Sequence, residues 1–362
     1  MFYCHAATSQ EQSASGFGVE FNWDVSLADG YRHSFLRNVA RKPGLAGFWG
    51  LDTPEVTSII QKGKYDAVLI NGWHYKSAWQ TMRACWNSAT PVMVRSDSHL
   101  HTPRGFAKRA AKRPVYNWFI PRLNACLAVG TWSREYFCYY GARDDRVFVV
   151  PHVIDDARFR DAAEGLRSSR DELRRSFGFA PDAVVFLFVG KFIDQKRPRT
   201  FVEAIAESAK RNSQVAGLMV GDGPLKKGCE NLARENRAPI RFSGFLNQSE
   251  ITKAYVAADA LVLPSVNETW GLVVNEAMTC GLPTMVSDQV GCGPDLVVPG
   301  ETGEVFVFAD VRDLVDKMVR YSQEPSLLAS MGKRARKKIS DYSVDNVVNS
   351  TLRAVLAVSS RC

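Results

Sequence analysis

A rhythm constrains this chain more than any other feature. Short apolar runs of strand length alternate with longer amphipathic stretches. Ala67–Ile70, Val92–Val94, Cys126–Val129 and Val147–Val150 each read as a buried strand ending in a polar or glycine turn. After residue 180 the rhythm resumes with Val184–Val189, Ala216–Val220, Ile240–Phe242, Ala260–Leu263 and Thr284–Val286. Pro198–Ser208, Leu225–Glu235, Ser249–Ala258 and Val273–Thr279 have helical spacing between them. Continuous apolar strands separated by helices predict an α/β architecture with parallel sheets. Ligands of such sheets bind beyond the carboxyl ends of the strands.

The chain has 362 residues, which at roughly 100–200 residues per domain suits two domains. Pro151–Arg170 is rich in charge and interrupts the apolar rhythm. The expected division is an N-terminal domain of 1–165, completed by a last helix within 339–362 that crosses back to it, and a second domain of 166–338. Val344–Val358 carries the helical spacing of that last helix. There are no internal repeats.

With 46% hydrophobic and 23% charged residues, the chain is globular in type and not disordered. No stretch approaches the roughly 18–20 apolar residues of a membrane span. Residues 1–20 show no basic start followed by an apolar core, so no signal peptide is visible. The eight cysteines are dispersed without a Cys-x-x-Cys pair. That pattern speaks against a disulfide framework or zinc site and for reduced thiols in the cytoplasm. Residues 1–150 carry 18 basic and 11 acidic groups, a net of +7, while the whole chain carries +8. An anionic partner is therefore expected on the first half.

The chemistry-bearing segments follow the strands. Val189-Gly190-Lys191 ends one strand, and Lys196-Arg197-Pro198 opens the next helix. Glycine lets the backbone approach a ligand, and the lysines can neutralise a diphosphate. Gly221-Asp222-Gly223-Pro224 is a second glycine turn, equally consistent with an ordinary turn. Pro264–Met278 holds two carboxylates, Glu268 and Glu276, with seven residues between them. Glu268 is expected in a loop and Glu276 in the following helix, whose N-terminus lies at Gly271, Leu272 and Val273. Free amides and a positive dipole end make such a terminus a phosphate site.

Pro264-Ser265, Glu268-Thr269-Trp270-Gly271-Leu272, Glu276-Ala277-Met278, Gly281-Leu282-Pro283 and Ser287-Asp288 resemble the signature blocks of retaining GT-B glycosyltransferases of family four, the glycosyl transferases group 1 type. Trp270 replaces the family's usual phenylalanine. The resemblance is strong over 180–310 and looser elsewhere. It implies two Rossmann-like domains and transfer of a sugar, with retention, from a nucleotide diphosphate sugar to a glycan or lipid-linked acceptor. It implies that Glu276 binds the donor ribose and Glu268 the donor sugar hydroxyls. The amides of Gly271, Leu272 and Val273 would hold the diphosphate, with Lys191 and Lys196 stabilising the leaving nucleotide. Such charge stabilisation needs no metal or other cofactor. Gly190, Gly221, Asp222 and Gly223 would complete the donor site. Met1–Cys4 is similar to the second strand of the family's N-terminal sheet, and Asn22–Asp24 to the stretch after it. The first βα unit of that domain is therefore expected to be missing.

Acceptor-side candidates lie after strands of the first half. Asn71-Gly72-Trp73-His74 follows one strand and Arg95-Ser96-Asp97-Ser98-His99 another. Relatives often place a catalytic histidine there; here Arg95 takes the position, with Asp97 as candidate base and His74 and His99 nearby. A structural Arg–Asp turn and a structural histidine are the plainer readings. The run Arg104–Arg122 mixes Arg104, Lys108, Arg109, Lys112, Arg113 and Arg122 with aromatic residues. It suits an ordinary helix or one docking on an anionic membrane surface. Nucleic acid is not expected, because no recognition fold accompanies it. The setting expected is cell-surface polysaccharide or glycolipid synthesis in the cytoplasm, at the inner face of the membrane. A catalytically silent nucleotide-sugar-binding protein and a nucleotide-sugar epimerase of the same fold remain as alternatives.

Overall fold

The computed structural model describes residues 1–6, 8, 20–26, 28–101 and 106–359, without the side chains of 106–109. The chain forms two compact units. One holds Met1–Ala7, Ser26–Pro151 and Asp345–Cys362; the other holds Thr8–Val25 and His152–Val344.

In the first unit β1 (Phe2–Tyr3) pairs in parallel with β2 (Ser34–Phe35), forming a two-stranded ladder of its own. Strands β3 (Val68–Asn71), β4 (Val92–Ser96), β5 (Ala125–Ala128) and β6 (Val147–Val149) form a parallel sheet in sequence order. Helices α1 (Val56–Gly63), α2 (Lys76–Asn87), α3 (Phe106–Phe119) and α4 (Thr131–Tyr139) join them. Successive strand residues face opposite ways. Val92 and Val94 therefore pack with Trp73, Met82 and Phe119. Met93 joins Ala125, Leu127 and Val150 on the other face, against Ala354 and Val358 of the terminal helix.

The second unit opens with α5 (Asp156–Leu166), capped by Asp155, whose carboxylate accepts from the Arg158 amide at 3.1 Å. Helix α6 (Arg170–Ser176) follows. The strands are β7 (Val184–Val189), β8 (Val215–Val220), β9 (Ile240–Gly244), β10 (Ala260–Leu263), β11 (Thr284–Ser287) and β12 (Gly303–Phe306). They are all parallel, in the order β9-β8-β7-β10-β11-β12. Helices α7 (Pro198–Arg211), α8 (Lys226–Glu235), α9 (Ile251–Ala257), α10 (Leu272–Thr279) and α11 (Gly293–Leu296) alternate with them. Helices α12 (Val311–Ser322), α13 (Pro325–Ile339) and α14 (Val344–Ser359) end the chain. Strand order reverses between β7 and β10. That reversal is the switch point where open α/β sheets bind ligands.

Three expectations change. The units divide at Pro151 and not at 165, because α5 packs on α9 and α10, with Phe159 6.2 Å from the Tyr255 ring. The second division falls after Val344, not after 338. Residues 20–25 belong with the second unit: Phe21 packs on Phe245 with ring centroids 4.4 Å apart, and the Ser249 amide donates to Asp24 at 3.1 Å. The sequence reading also missed β12. Its four residues include Glu304, buried and bonded to the Tyr321 hydroxyl. No helix among the described residues is long and apolar enough to cross a membrane. The described cysteines are unpaired.

Candidate active site

The switch point places two loops side by side. Strands β7 and β10 pair at Leu187 and Leu261, so the loops leaving their carboxyl ends run next to each other. The Val266 amide donates to the Gln195 carbonyl at 2.8 Å, and Gln195 Nε2 donates to the Asn267 carbonyl at 3.1 Å. Between these ties Lys196 and Glu268 form an ion pair, with side chains only 18% and 13% exposed. Burial, reinforced by the Lys196 charge, holds Lys191 below the usual lysine range, while Glu268 opposes the shift. Three charged groups thus converge on one spot.

Glu268 is held by its backbone. Its amide donates to the Gln289 carbonyl at 3.1 Å, and its carbonyl accepts from the Gly291 amide at 2.8 Å. A Cβ at Gly291 would run into the Thr269 carbonyl. This position therefore requires glycine.

Glu276 sits on α10 beyond the loop, as the spacing predicts. The Tyr255 hydroxyl donates to Glu276 Oε2 at 2.5 Å. Burial pushes the Glu276 carboxyl up to about 7, against the Tyr255 bond and the Arg158 charge, which lower it. The same burial, with the Glu276 charge, drives the Tyr255 phenol well above its ordinary value. Gly271 caps α10 at φ +106°. The first amides behind it, on Leu272 and Val273, lack intrahelical partners. Trp270 Nε1 donates to Asn275 Oδ1 at 2.9 Å within the core, and Asn275 Nδ2 donates to the His152 carbonyl at 3.3 Å. An indole N–H has to find a partner when buried. Asn275 supplies it, which explains how tryptophan fits the phenylalanine position.

The Gly221–Gly223 turn follows β8. Gly221 has φ +133°, and a Cβ there would strike the Gly190 carbonyl oxygen, so the two glycine turns touch. Asp222 is occupied: its carboxylate accepts from the Gly223 amide at 2.8 Å and from Lys226 Nζ at 2.6 Å.

In the first unit, Arg95 is drawn into the backbone. Its Nε donates to the Val150 carbonyl at 3.1 Å and its Nη2 to the Pro151 carbonyl at 2.7 Å. Burial lowers its pKa, and the Asp97 charge opposes the shift. Asp97 and the buried His99 share the loop after β4, where His99 lies 5.2 Å from the Trp132 ring. His74 is exposed after β3, edge-on to Tyr75. In the basic run, Arg104 and the side chains of Lys108 and Arg109 lie outside the described residues. Lys112, Arg113 and Arg122 stand over the rings of Tyr116, Tyr139 and Trp118.

Sequence reasoning missed Tyr255, Arg158 and Lys226. Tyr255 sits on an amphipathic helix where nothing in the spacing marks it. Asn275 lies between the two glutamate blocks, where nothing in the sequence marks it. Among the described residues, no group of three His, Cys, Asp or Glu gathers as a metal site would.

The family model for Glycosyltransferase Family 4 matches residues 16–158, and that for Glycosyl transferases group 1 matches residues 169–338. Each half of the chain thus matches a family model of glycosyltransferases. The group 1 match encloses Lys191, Lys196, Glu268 and Glu276. The chain is 34% identical over 227 residues to the D-inositol 3-phosphate glycosyltransferase of Actinosynnema mirum, covering 59% of this chain and 52% of that one. It is 30% identical over 193 residues to the alpha-D-kanosaminyltransferase of Streptomyces kanamyceticus, covering 53% and 49%. The chain thus spans about half the length of the curated relatives it matches. The HepE structure of Anabaena with UDP and glucose superposes with a TM-score of 0.67 at 20% identity, over 91% of this chain and 86% of that one. Sucrose-phosphate synthase of Thermosynechococcus elongatus does so at 0.67 and 20%, over 91% and 87%. The chain therefore has the GT-B fold of two Rossmann-like domains.

Proposed function

We propose that this chain is a glycosyltransferase that moves a sugar from a nucleotide diphosphate sugar to a glycan or lipid-linked acceptor, with retention of configuration. The observation that carries the reading is the meeting of Lys196 and Glu268 at the switch point, with the Lys191 charge interacting with both. The HepE complex, which holds UDP and glucose, supports a donor of this class.

Each residue takes a step its chemistry allows. Lys191 and Lys196 neutralise the diphosphate and stabilise the leaving nucleotide. As Lys196 turns to the phosphate, Glu268 is released to accept from the sugar hydroxyls. Glu276, held by Tyr255, accepts from the ribose. Amides of Gly271, Leu272 and Val273 bind phosphate oxygens, and the glycine turns at Gly190, Gly221 and Gly223 let backbone approach the donor. Asp222 braces its turn through Lys226. The two lysines fill the role of a cation, so the reaction needs no metal. On the acceptor side Asp97 is the base, His74 and His99 line the loops, and Arg95 positions the Asp97 loop. The setting is the cytoplasm, at the inner membrane face when the acceptor is lipid-linked.

The test is transfer from a panel of nucleotide sugars to glycan and lipid-linked acceptors, with Glu276→Ala as control and product anomers read by NMR. Acceptor-dependent transfer of one donor with retained configuration is expected. A folded protein that binds no donor, or one that converts the donor sugar without acceptor, overturns the reading.

A further inference from the structure

The second unit has another cavity, at the end of its sheet opposite the donor loops. Ala258 and Asp259, just before β10, and Leu282, just before β11, line it, so it opens at the amino ends of the strands. Its volume is about 560 Å³, within the range of small-molecule sites.

The lining is strongly basic. Arg167, Arg170, Lys333 and Arg336 line the cavity with a single carboxylate, Asp259. That carboxylate is already engaged: it accepts from Arg170 at 2.6 Å, from Arg174 at 3.2 Å and from the Val185 amide at 2.7 Å. Arg167 and Arg336 share one carboxylate, Glu164, at 3.0 and 3.3 Å. Glu164 is 62% exposed, and exposed pairs of this kind bind weakly. Both guanidiniums can therefore turn to a better anion. Lys333 is exposed, and its ammonium makes no hydrogen bond or ion pair with any described residue. Within this set five cations face two carboxylates. The planar donor fork of a guanidinium suits two oxygens of a phosphate. Val256, Leu282 and Leu328 add apolar wall for the rest of a ligand.

One helix runs from the donor loops to the cavity wall. Cys280 and Gly281 end α10, the helix that carries Glu276. A Cβ at Gly332 of α13 would run into the Gly281 carbonyl, so α13 rests directly on that turn.

We infer that this cavity binds a small phosphorylated molecule, its phosphate held by Arg167, Arg336 and Lys333. This site is separate from the donor loops and stands whether or not the transferase reading does. The experiment is calorimetric titration of the full chain with inorganic phosphate and with glucose 1-phosphate. Lys333→Glu tests the cavity, because the exposed Lys333 side chain supports no other described group and its replacement should leave the fold intact, which circular dichroism checks. Arg336→Gln is the second cavity variant, and Lys196→Gln controls for the donor loops. A site weakened tenfold or more by both cavity variants and unchanged by Lys196→Gln is expected. Binding that survives Lys333→Glu and vanishes in Lys196→Gln, or no binding at millimolar concentration, overturns the proposal. So does capture of the protein on phosphatidylglycerol vesicles that Lys333→Glu abolishes, with no response to either soluble probe. That outcome would place the phosphate on a lipid.

Discussion

Lys196 and Glu268, 72 positions apart in the chain, form an ion pair that ties the loop after β7 to the loop after β10. In the proposed reaction each becomes a contact of the donor. Lys196→Ala and Glu268→Gln should each lower kcat/KM by about 100-fold, roughly 3 kcal/mol of transition-state stabilisation. The double variant should lose less than the two singles combined, because partners in one contact are coupled. Steady-state kinetics of all four proteins measures the coupling, and strict additivity would count against a shared site.

Glu276 predicts a pH dependence. Burial raises its carboxyl to about 7, and the ionised form is the acceptor that ribose hydroxyls need. Donor affinity should rise as pH increases from 6 to 8, and Glu276→Gln should flatten the rise. Stability moves the other way. The folded state holds this proton more tightly than the unfolded chain. Its contribution is complete below the ordinary glutamate value and is lost as pH rises through about 7. Urea unfolding at a series of pH values should show a shallower decline in Glu276→Gln.

Trp270→Phe tests the indole bond. The change leaves Asn275 Oδ1 in the core without its donor. Leaving a buried acceptor unmatched costs about 1–3 kcal/mol. The urea midpoint should fall accordingly. An unchanged midpoint would mean that Asn275 finds another donor.

Gly221→Ala should destabilise the donor loops. A left-handed backbone angle and the approach of the Gly190 carbonyl both exclude a Cβ. Strain of this kind costs about 1–3 kcal/mol before any clash is counted. Thermal unfolding should drop and donor affinity with it.

Arg95→Ala separates positioning from chemistry. Its guanidinium bridges the ends of β4 and β6 through the carbonyls of Val150 and Pro151. Loss of two such bonds should cost about 1–3 kcal/mol, and Arg95→Lys, which lacks the fork, should recover little of it. A fall in kcat at unchanged stability would instead put Arg95 in contact with substrate.

Local chemistry made much of this legible from the chain alone. Apolar runs mark the nine strands β3 to β11 within a residue or two, because burial on both faces demands them. The two glutamates at their spacing, the lysines after β7 and the glycine turns marked the loops that the structure brings together at the switch point. Other features depend on which strand lies beside which. Lys196 meets Glu268 only because β7 and β10 are neighbours where the order reverses. Tyr255 reaches Glu276 from a helix whose pattern shows no more than amphipathicity. Glu304 hid β12, since its charge is satisfied by a tyrosine 17 positions away. Arg95, an acceptor-side candidate by sequence, also holds two carbonyls 55 and 56 positions further along. Periodicity and turn chemistry act over a few residues and can be read in order. Charge pairs and buried hydrogen bonds between distant segments arise only when packing has brought them together.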